Sequence, residues 1–406
     1  MSTLGFTPDD LRRMAEQVRG GVEDDDVAAE VVARSAWSIL GEPGDGMAGL
    51  LVLALGAAPA LSAVLAGTSP TVLARDIDPE ATVGREVLER GLADALARWR
   101  PRLRSATLVQ SIAAAQRTGT RLLVPGDDAW PTGVDDLGVH GPAALWYRGS
   151  ESALAALGRS VALVGARECT KYGAAVATDS AAGLAERGFA IVSGAAYGID
   201  AVAHRATLSG DGMTVAFLAG GADRFYPAGN DALLARIVER GAVVSELPCG
   251  AQPTKWRFLQ RNRLIAASSR ATVVVEAGWR SGTLNTAGHA ASLGRPLGAV
   301  PGPVTSVASA GCHRLLREYD ARCVTTADEM AELVTGTPGG APAPALVADR
   351  SSHEVRVIDA LSTRSARTAD DIARRAGLST ASVVAVLGTL SLDGSARQGD
   401  RGWLRS

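Results

Sequence analysis

The chain has 406 residues, 47% of them hydrophobic and 21% charged, which is an ordinary globular mix with length for two or three domains. Its formal net charge of -2 excludes a uniformly basic coat for nucleic acid, so any polyanion site must be a local patch. Four widely spaced cysteines (Cys169, Cys249, Cys312, Cys323) form no CxxC or CxxH unit, which argues against zinc and fits reduced thiols.

Residues 1–115 read as helical. Leu11 to Val18, Val27 to Leu40 and Val83 to Leu96 carry helix-like apolar spacing, with breaks at Gly41–Gly46 and Gly67–Pro70. The acidic run Glu23-Asp24-Asp25-Asp26 precedes a helix, where it serves as a cap rather than a metal site. The apolar stretch Gly49 to Leu65 is short and broken by Gly56, Pro59 and Ser62, so it predicts buried helices and not a membrane span. With acids and arginines in the first thirteen residues, no secretory leader is expected, and the expected location is the cytoplasm.

Residues 116–158 form a proline-punctuated connector in which Ala144-Leu-Trp-Tyr147 suggests an edge strand. Residues 159–334 then alternate strand and helix. Strands are predicted at 161–164, 189–192, 213–218, 242–246, 271–276 and 297–300, with helices around 173–187, 200–208, 230–239, 260–268 and 284–293. That alternation predicts an α/β, doubly wound, mainly parallel sheet. A Pro-, Gly- and Ala-rich linker occupies 335–352. Within 353–406, Val355 to Leu361 predicts a helix, Thr368 to Leu390 a helix-turn-helix, and Ala396-Arg397 with Trp403-Leu404 a hairpin, together a winged helix.

The chemistry is expected at the glycine turns that leave the strands, since ligands of such sheets bind at the carboxyl ends of the strands. The first turn, Gly165-Ala-Arg167, has arginine where a dinucleotide fingerprint needs its second glycine. Arginine offers a phosphate fork but blocks close backbone approach to a pyrophosphate, so no nucleotide cofactor is expected. Lys171 adds a cation one helical turn on. The second turn, Ser193-Gly194-Ala-Ala-Tyr197-Gly198, leads to Asp200 and His204 on one helix face; Asp200 reads as a helix cap and His204 as packing or hydrogen-bonding nearby, not as a catalytic pair. Gly220-Gly221 make a third turn and Ser281-Gly282-Thr283 a fourth. Residues 251–280 hold Lys255, Arg257, Arg261, Arg263, Arg270 and Arg280 against Glu276, interleaved with Trp256, Phe258 and Trp279. Cations and stacking faces together suit single-stranded nucleic acid, although about half of such residues are expected to pair internally or join the core.

Six motifs in this order resemble the DNA-processing protein A (DprA/Smf) family. They are Val-Gly165-Ala-Arg167, Ser193-Gly194-x-x-x-Gly198-Ile-Asp200-Ala-x-Ala-His204, Phe-x-x-Arg261-Asn262-Arg263-x-Ile265, Ser281-Gly282-Thr283, Val300-Pro-Gly-Pro303 and Ala310-Gly311-Cys-x-Arg314-Leu. The resemblance implies a Rossmann-like core with a helical, SAM-like N-terminal domain and a C-terminal winged helix. It implies single-stranded DNA binding in which Arg167 matches the phosphate-contacting arginine, Arg261-Asn262-Arg263 the RNR segment, and Gly194, Gly198, Gly282 and Thr283 the pocket turns; Lys171, Ser193, Tyr197, Gly220, Gly221 and Ser281, which share those turns, complete the expected binding site. It further implies a non-enzymatic homodimer without metal or cofactor, which loads the RecA recombinase and protects incoming strands in natural transformation. The chain departs from the pattern at Tyr197, where many members carry arginine, and in Gly41-Glu-Pro-Gly44-Asp-Gly46, a degenerate helix-hairpin-helix at best. The rival readings are a nucleotide phosphoribohydrolase, which would want an acid soon after Gly282-Thr283, and a winged-helix transcriptional regulator.

Overall fold

Capping starts the chain's first helices. In the computed structural model, which describes residues 5–21, 24–80, 84–102, 104–336, 351–399 and 401–406, Thr7 and Asp10 form a capping box ahead of α1 (Pro8–Arg19). The Asp24 carboxylate accepts the Val27 N–H at 2.8 Å and caps α2 (Asp25–Leu40), the role read for the acidic run; Glu23 lies outside the described residues. Then come α3 (Gly46–Leu55), α4 (Ala57–Leu65), α5 (Pro70–Ile77), α6 (Arg85–Trp99) and α7 (Ser105–Thr118). Trp37 and Trp99 meet edge to face at 5.2 Å in the core of this layer. Their indole N–H groups are satisfied by the Ala57 carbonyl and the Asp45 carboxylate, both at 3.0 Å. Among the described residues no single helix is long and apolar enough to cross a membrane.

The sheet begins with β1 (Arg121–Leu123), β2 (Leu145–Gly149), the short α8 (Glu151–Ala155) and β3 (Ser160–Gly165). It continues as α9 (Lys171–Glu186), β4 (Ala190–Ser193), α10 (Ile199–Ser209), β5 (Thr214–Phe217), α11 (Asp231–Arg240) and β6 (Ala242–Ser245). It closes with α12 (Lys255–Ser268), β7 (Ala271–Glu276), α13 (Thr283–Ser292), β8 (Leu297–Ala299), α14 (Ala310–Glu318), β9 (Arg322–Cys323) and α15 (Ala327–Thr335). The order is β1-β2-β6-β5-β4-β3-β7-β8-β9, parallel from β6 to β9, with β1 and β2 added antiparallel. This is the expected Rossmann-like arrangement. One detail differs: β2 is not an edge strand, because β1 pairs on its outer side.

Alternation of side chains across the pleat builds the two covered faces. Ala162, Val164, Val215 and Val274 join the core under α12, α13 and α14, while Val161, Leu163, Ile191 and Val273 join the core under α9, α10 and α15. In β2, Leu145 and Tyr147 face the first of these cores, and Trp146 enters the helical layer, where its indole donates to Ser38 Oγ at 3.2 Å. The helical layer therefore shares its core with the antiparallel end of the sheet. Because β3 leads to β4 on one side while β7 lies on its other side, the topology switches there. The switch opens a crevice outside the carboxyl ends of β3 and β7.

Contacts divide the chain into two units, Met1–Gly339 and Gly340–Ser406. The linker expected at 335–352 lies mostly outside the described residues. The second unit comprises α16 (Ser352–Ala360), α17 (Ala369–Ala376), α18 (Thr380–Leu392), β10 (Ala396–Gly399) and β11 (Gly402–Arg405). Gly377 closes α17 in the left-handed conformation at φ 62°, and Ser379 caps α18. Its small core centres on Ile372, Val383, Leu387 and Leu390, all fully buried. Leu387→Ala is expected to cost about 2–5 kcal/mol, a large share of what so small a core supplies. Limited proteolysis of the full-length variant should then cut first within 351–406 and leave 5–336 resistant; equal resistance in both units would refute this.

Candidate nucleic-acid interface

The crevice at the switch point measures ≈ 420 Å³ and is lined by Gly165, Arg167, Phe258, Arg261, Asn262 and Thr283, among others. Two turns cross at its base. Gly198 sits at φ 77°, and a Cβ there would fall 2.1 Å from the Ala166 carbonyl oxygen, which accepts the Ile199 N–H at 3.1 Å. The first and second glycine turns are thereby pinned to each other.

Arg261 is the central cation. Its residue is 6% exposed, and its guanidinium lies flat on Gly194, where a Cβ would come within 1.6 Å of Nη1. Nη1 donates to the Phe217 carbonyl at 2.8 Å. Burial pushes its pKa down to about 10, opposed by nearby Asp200 and assisted by Arg167, so it stays charged at neutral pH. Asp200 does not cap α10, whose N-cap is Gly198. Its carboxylate reaches back to accept the Gly194 N–H at 3.1 Å and the Ala196 N–H at 3.4 Å, holding the turn on which Arg261 rests. Burial raises the Asp200 pKa, and Arg261 opposes that rise. His204 is fully buried, and its Nδ1 lies 2.7 Å from Thr214 Oγ1. Thr214 spends its own proton on the Ile191 carbonyl, so His204 is the donor and neutral. Both residues are structural, but the helix cap expected of Asp200 is corrected: its carboxylate turns back to the preceding glycine turn, while His204 hydrogen-bonds nearby as expected.

Around Arg261 the groups stack. The exposed Arg167 guanidinium lies 5.0 Å from the Phe258 ring centre and Arg261 lies 6.0 Å from it, while Tyr226 packs on the same ring at 5.6 Å. Gly282 and Thr283 open α13 toward the crevice, and Thr283 Oγ1 donates to the Gly165 carbonyl at 2.8 Å. Ser281 Oγ accepts the Thr283 N–H at 3.3 Å, and Asn262 bonds Asn285 at 3.2 Å. Each connection leaving the carboxyl ends of β6, β5, β4, β3 and β7 carries one exposed aromatic: Trp256, Tyr226, Tyr197, Tyr172 and Trp279, between 41% and 56% exposed. Lys171 is exposed at the start of α9.

The N-terminus of α9 is where a dinucleotide fold would seat its pyrophosphate. Here Glu276 takes that place. Its carboxylate accepts the Thr170 N–H and the Thr170 hydroxyl, both at 2.8 Å, and only the absence of a Cβ at Gly173 makes room for it. The sequence had shown Glu276 merely as an acid among cations; its position ending a buried strand was the available signal.

Other expected site residues lie elsewhere. Ser193 is buried and donates to the Leu163 carbonyl at 2.6 Å. Gly220 and Gly221 are buried beneath residues 248–251, with the Gly221 N–H donating to Ala251 at 2.9 Å, outside the crevice lining. Arg263 does not line the crevice: it is 3% exposed, and its Nη2 donates to both carboxylate oxygens of Glu246 at 2.7 Å. Arg257 pairs with Glu42, and Arg270 sits at the opposite end of the sheet, its N–H on Ser160. Lys255 and Arg280 are exposed without an ion pair among the described residues. The basic stretch of 251–280 is therefore split between the crevice and the interior.

Burial drives His204 to a pKa of about 3, far below the unfolded value. The unfolded chain takes up this proton first, so the contribution of neutral His204 is complete above its unfolded pKa of ~6.5 and is lost as pH falls from there toward about 3. His204→Asn keeps an N–H for Thr214 and removes the titration. Urea unfolding near pH 7 and near pH 5 should show a smaller acid-side loss of stability in the variant, and an unchanged loss would contradict this account.

Comparison with known proteins agrees with this geometry. Residues 121–335 match the family described as DNA recombination-mediator protein A, and residues 341–400 match the DprA winged helix domain. A Mycobacterium tuberculosis protein bearing the DprA name is 48% identical over 301 residues, spanning 71% of this chain and 77% of the relative. The DNA processing protein DprA of Streptococcus pneumoniae is 39% identical over 204 residues, covering 50% of this chain and 71% of the relative. The X-ray structure of the Streptococcus pneumoniae protein superposes with a TM-score of 0.58 at 29% identity, covering 77% of this chain and 99% of that one. With the crossed glycine turns, the switch-point crevice and a family match over more than half of its length, this chain belongs to the DprA/Smf family of DNA-processing proteins.

Proposed function

We propose that this protein is a non-enzymatic, cytoplasmic binder of single-stranded DNA that acts as a recombination mediator. In this reading it is a homodimer through its core, protects incoming strands in natural transformation and loads the RecA recombinase onto them. Residues 159–334 are the binding core, flanked by a helical domain at 1–115, a connector at 116–158, a linker at 335–352 and a winged helix at 353–406.

The observation that carries the binding is the convergence of Arg167, Arg261 and the N-terminus of α13 on one crevice lined by Phe258, at the end of the sheet whose connections carry exposed aromatics. Cations track a phosphate backbone, and aromatic faces take unpaired bases regardless of sequence. Arg261 lines the crevice from below and adds positive charge to its floor, while the exposed Arg167 is the cation that can meet a phosphate directly. Tyr197 fits as a stacking face in place of the arginine of other family members.

Two features weigh against the rivals. Asp200 and Glu276 spend their carboxylates on the turns, and Leu284 and Asn285 follow Gly282-Thr283 where a phosphoribohydrolase wants an acid. In the winged helix, α18 has no charged residue, and its exposed positions include Ala381, Val384, Ala385, Gly388 and Leu392. A helix that reads a duplex needs polar side chains for base edges and cations for phosphates.

Arg167→Ala is expected to weaken binding of fluorescent oligothymidine roughly tenfold or more and to lower the salt slope by about 0.7, the share of one single-strand phosphate. Anisotropy titrations at several salt concentrations read both; unchanged affinity in the folded variant would sink the pocket assignment. Arg263→Ala is expected to act differently. It leaves the part-buried Glu246 carboxylate without its partner, at a cost of about 1–3 kcal/mol in stability, with no loss of salt slope in the protein that remains folded.

A further inference from the structure

Helix α12 is gripped on the face opposite the crevice. Phe258, Arg261, Asn262 and Ile265 line the crevice, while Arg257, Gln260 and Arg263 sit on or toward the other side. There Arg263 is held by Glu246, the residue that follows β6. Arg257 is held by Glu42 of the α2–α3 loop, through Nε at 3.0 Å and Nη2 at 2.9 Å. Glu42 also takes Arg102, which follows α6. Burial works against the charge of Glu42, yet its bonds to Arg257 and Arg102 outweigh that and keep the carboxyl below its ordinary pKa. The same loop is fixed by His140, whose Nδ1 lies 3.0 Å from the Gly44 carbonyl oxygen, and Gly44 backs onto Gln260 and Arg263.

These contacts have a purpose that packing alone does not demand. The first turn of α12 carries Lys255 and Arg257, cations at the positive end of the helix dipole, where they are unfavourable. One acid from outside the helix, Glu42, offsets Arg257, and a second, Glu246, holds Arg263 farther along; together their placement sets the rotation of α12 about its axis. Rotation decides whether Arg261 lies on Gly194 and Phe258 meets Arg167, since both contacts leave little slack.

We infer that Glu42 and Glu246 are positioning residues for the crevice: two acids, one from the helical layer and one from the sheet, orient α12 so that its crevice face meets a single strand. The inference rests on the proposed binding reading. It makes a prediction of unusual sign. An acid near a polyanion site ordinarily repels the ligand, so neutralising it should tighten binding. If Glu42 positions α12, neutralising it weakens binding instead.

The test uses full-length protein with Glu42→Gln, Glu42→Ala, Glu246→Gln and, as a reference, Arg167→Ala. Oligothymidine affinity is measured at fixed salt, beside thermal melting to establish the folded fraction. The expected result is a roughly 3- to 30-fold loss of affinity in the folded Glu42 variants, the range over which residues that touch no ligand modulate a site. Affinity that stays equal or tightens in folded Glu42→Gln and Glu42→Ala overturns the inference, as does a lowered melting temperature with unchanged affinity. If Glu42→Ala does not fold, Glu42→Gln and Glu246→Gln decide by the same criteria. Should Arg167→Ala also leave affinity unchanged, the binding reading itself has failed, and the two failures are told apart.

Discussion

A guanidinium seated on a glycine organises this site. Arg261 occupies the volume that any side chain at position 194 would fill, and its charge is offset by a carboxylate that at the same time ties down the turn beneath it. Burying a charge is costly unless it is paired and hydrogen-bonded. Here one carbonyl bond and one nearby acid accomplish that without consuming every donor. Through these contacts Arg261 of α12 joins the turn after β4 and the start of α10 at one point.

Seen from α12, the protein is a sheet with one helix held from both sides. The antiparallel strands β1 and β2 extend the parallel core and carry Trp146 into the helical layer, so that layer is continuous with the sheet and not an appendage. A loop more than two hundred residues away in sequence thereby touches the helix that lines the crevice. Such long ion-pair connections between rigid elements are the physical means by which distant substitutions alter a site.

Much of this was legible in the chain. The buried parallel strands announce themselves as short apolar runs ending in glycine, and every predicted strand of the core lies within two residues of an observed one. The winged helix was readable from Thr368, Gly377 and Ser379, because a cap, a left-handed stop and a second cap are local chemistry. The start of α12 was placed too late, since Thr254 is a cap that no apolar periodicity marks. The fate of Arg263 could have been deduced: residues two apart on a helix point roughly 200° apart, so Arg261 and Arg263 cannot share one crevice. The partnership of Glu42 with Arg257 could not, for nothing in a sequence pairs residues so far separated. The outer strand β1 escaped for a related reason, since three residues carry too little pattern to be read.

Glu276 has a consequence of another kind. Cells are full of free nucleotides, and a sheet of this topology with an open first helix is a ready seat for them. By placing its own carboxylate at that helix, the protein fills the seat from within. What remains is a crevice whose positive charge comes from side chains, Arg167 and Arg261, and not from that helix end. The internal acid thus places a negative charge where the helix dipole would otherwise favour an incoming anion, and so reverses the local electrostatics of the seat without changing the fold.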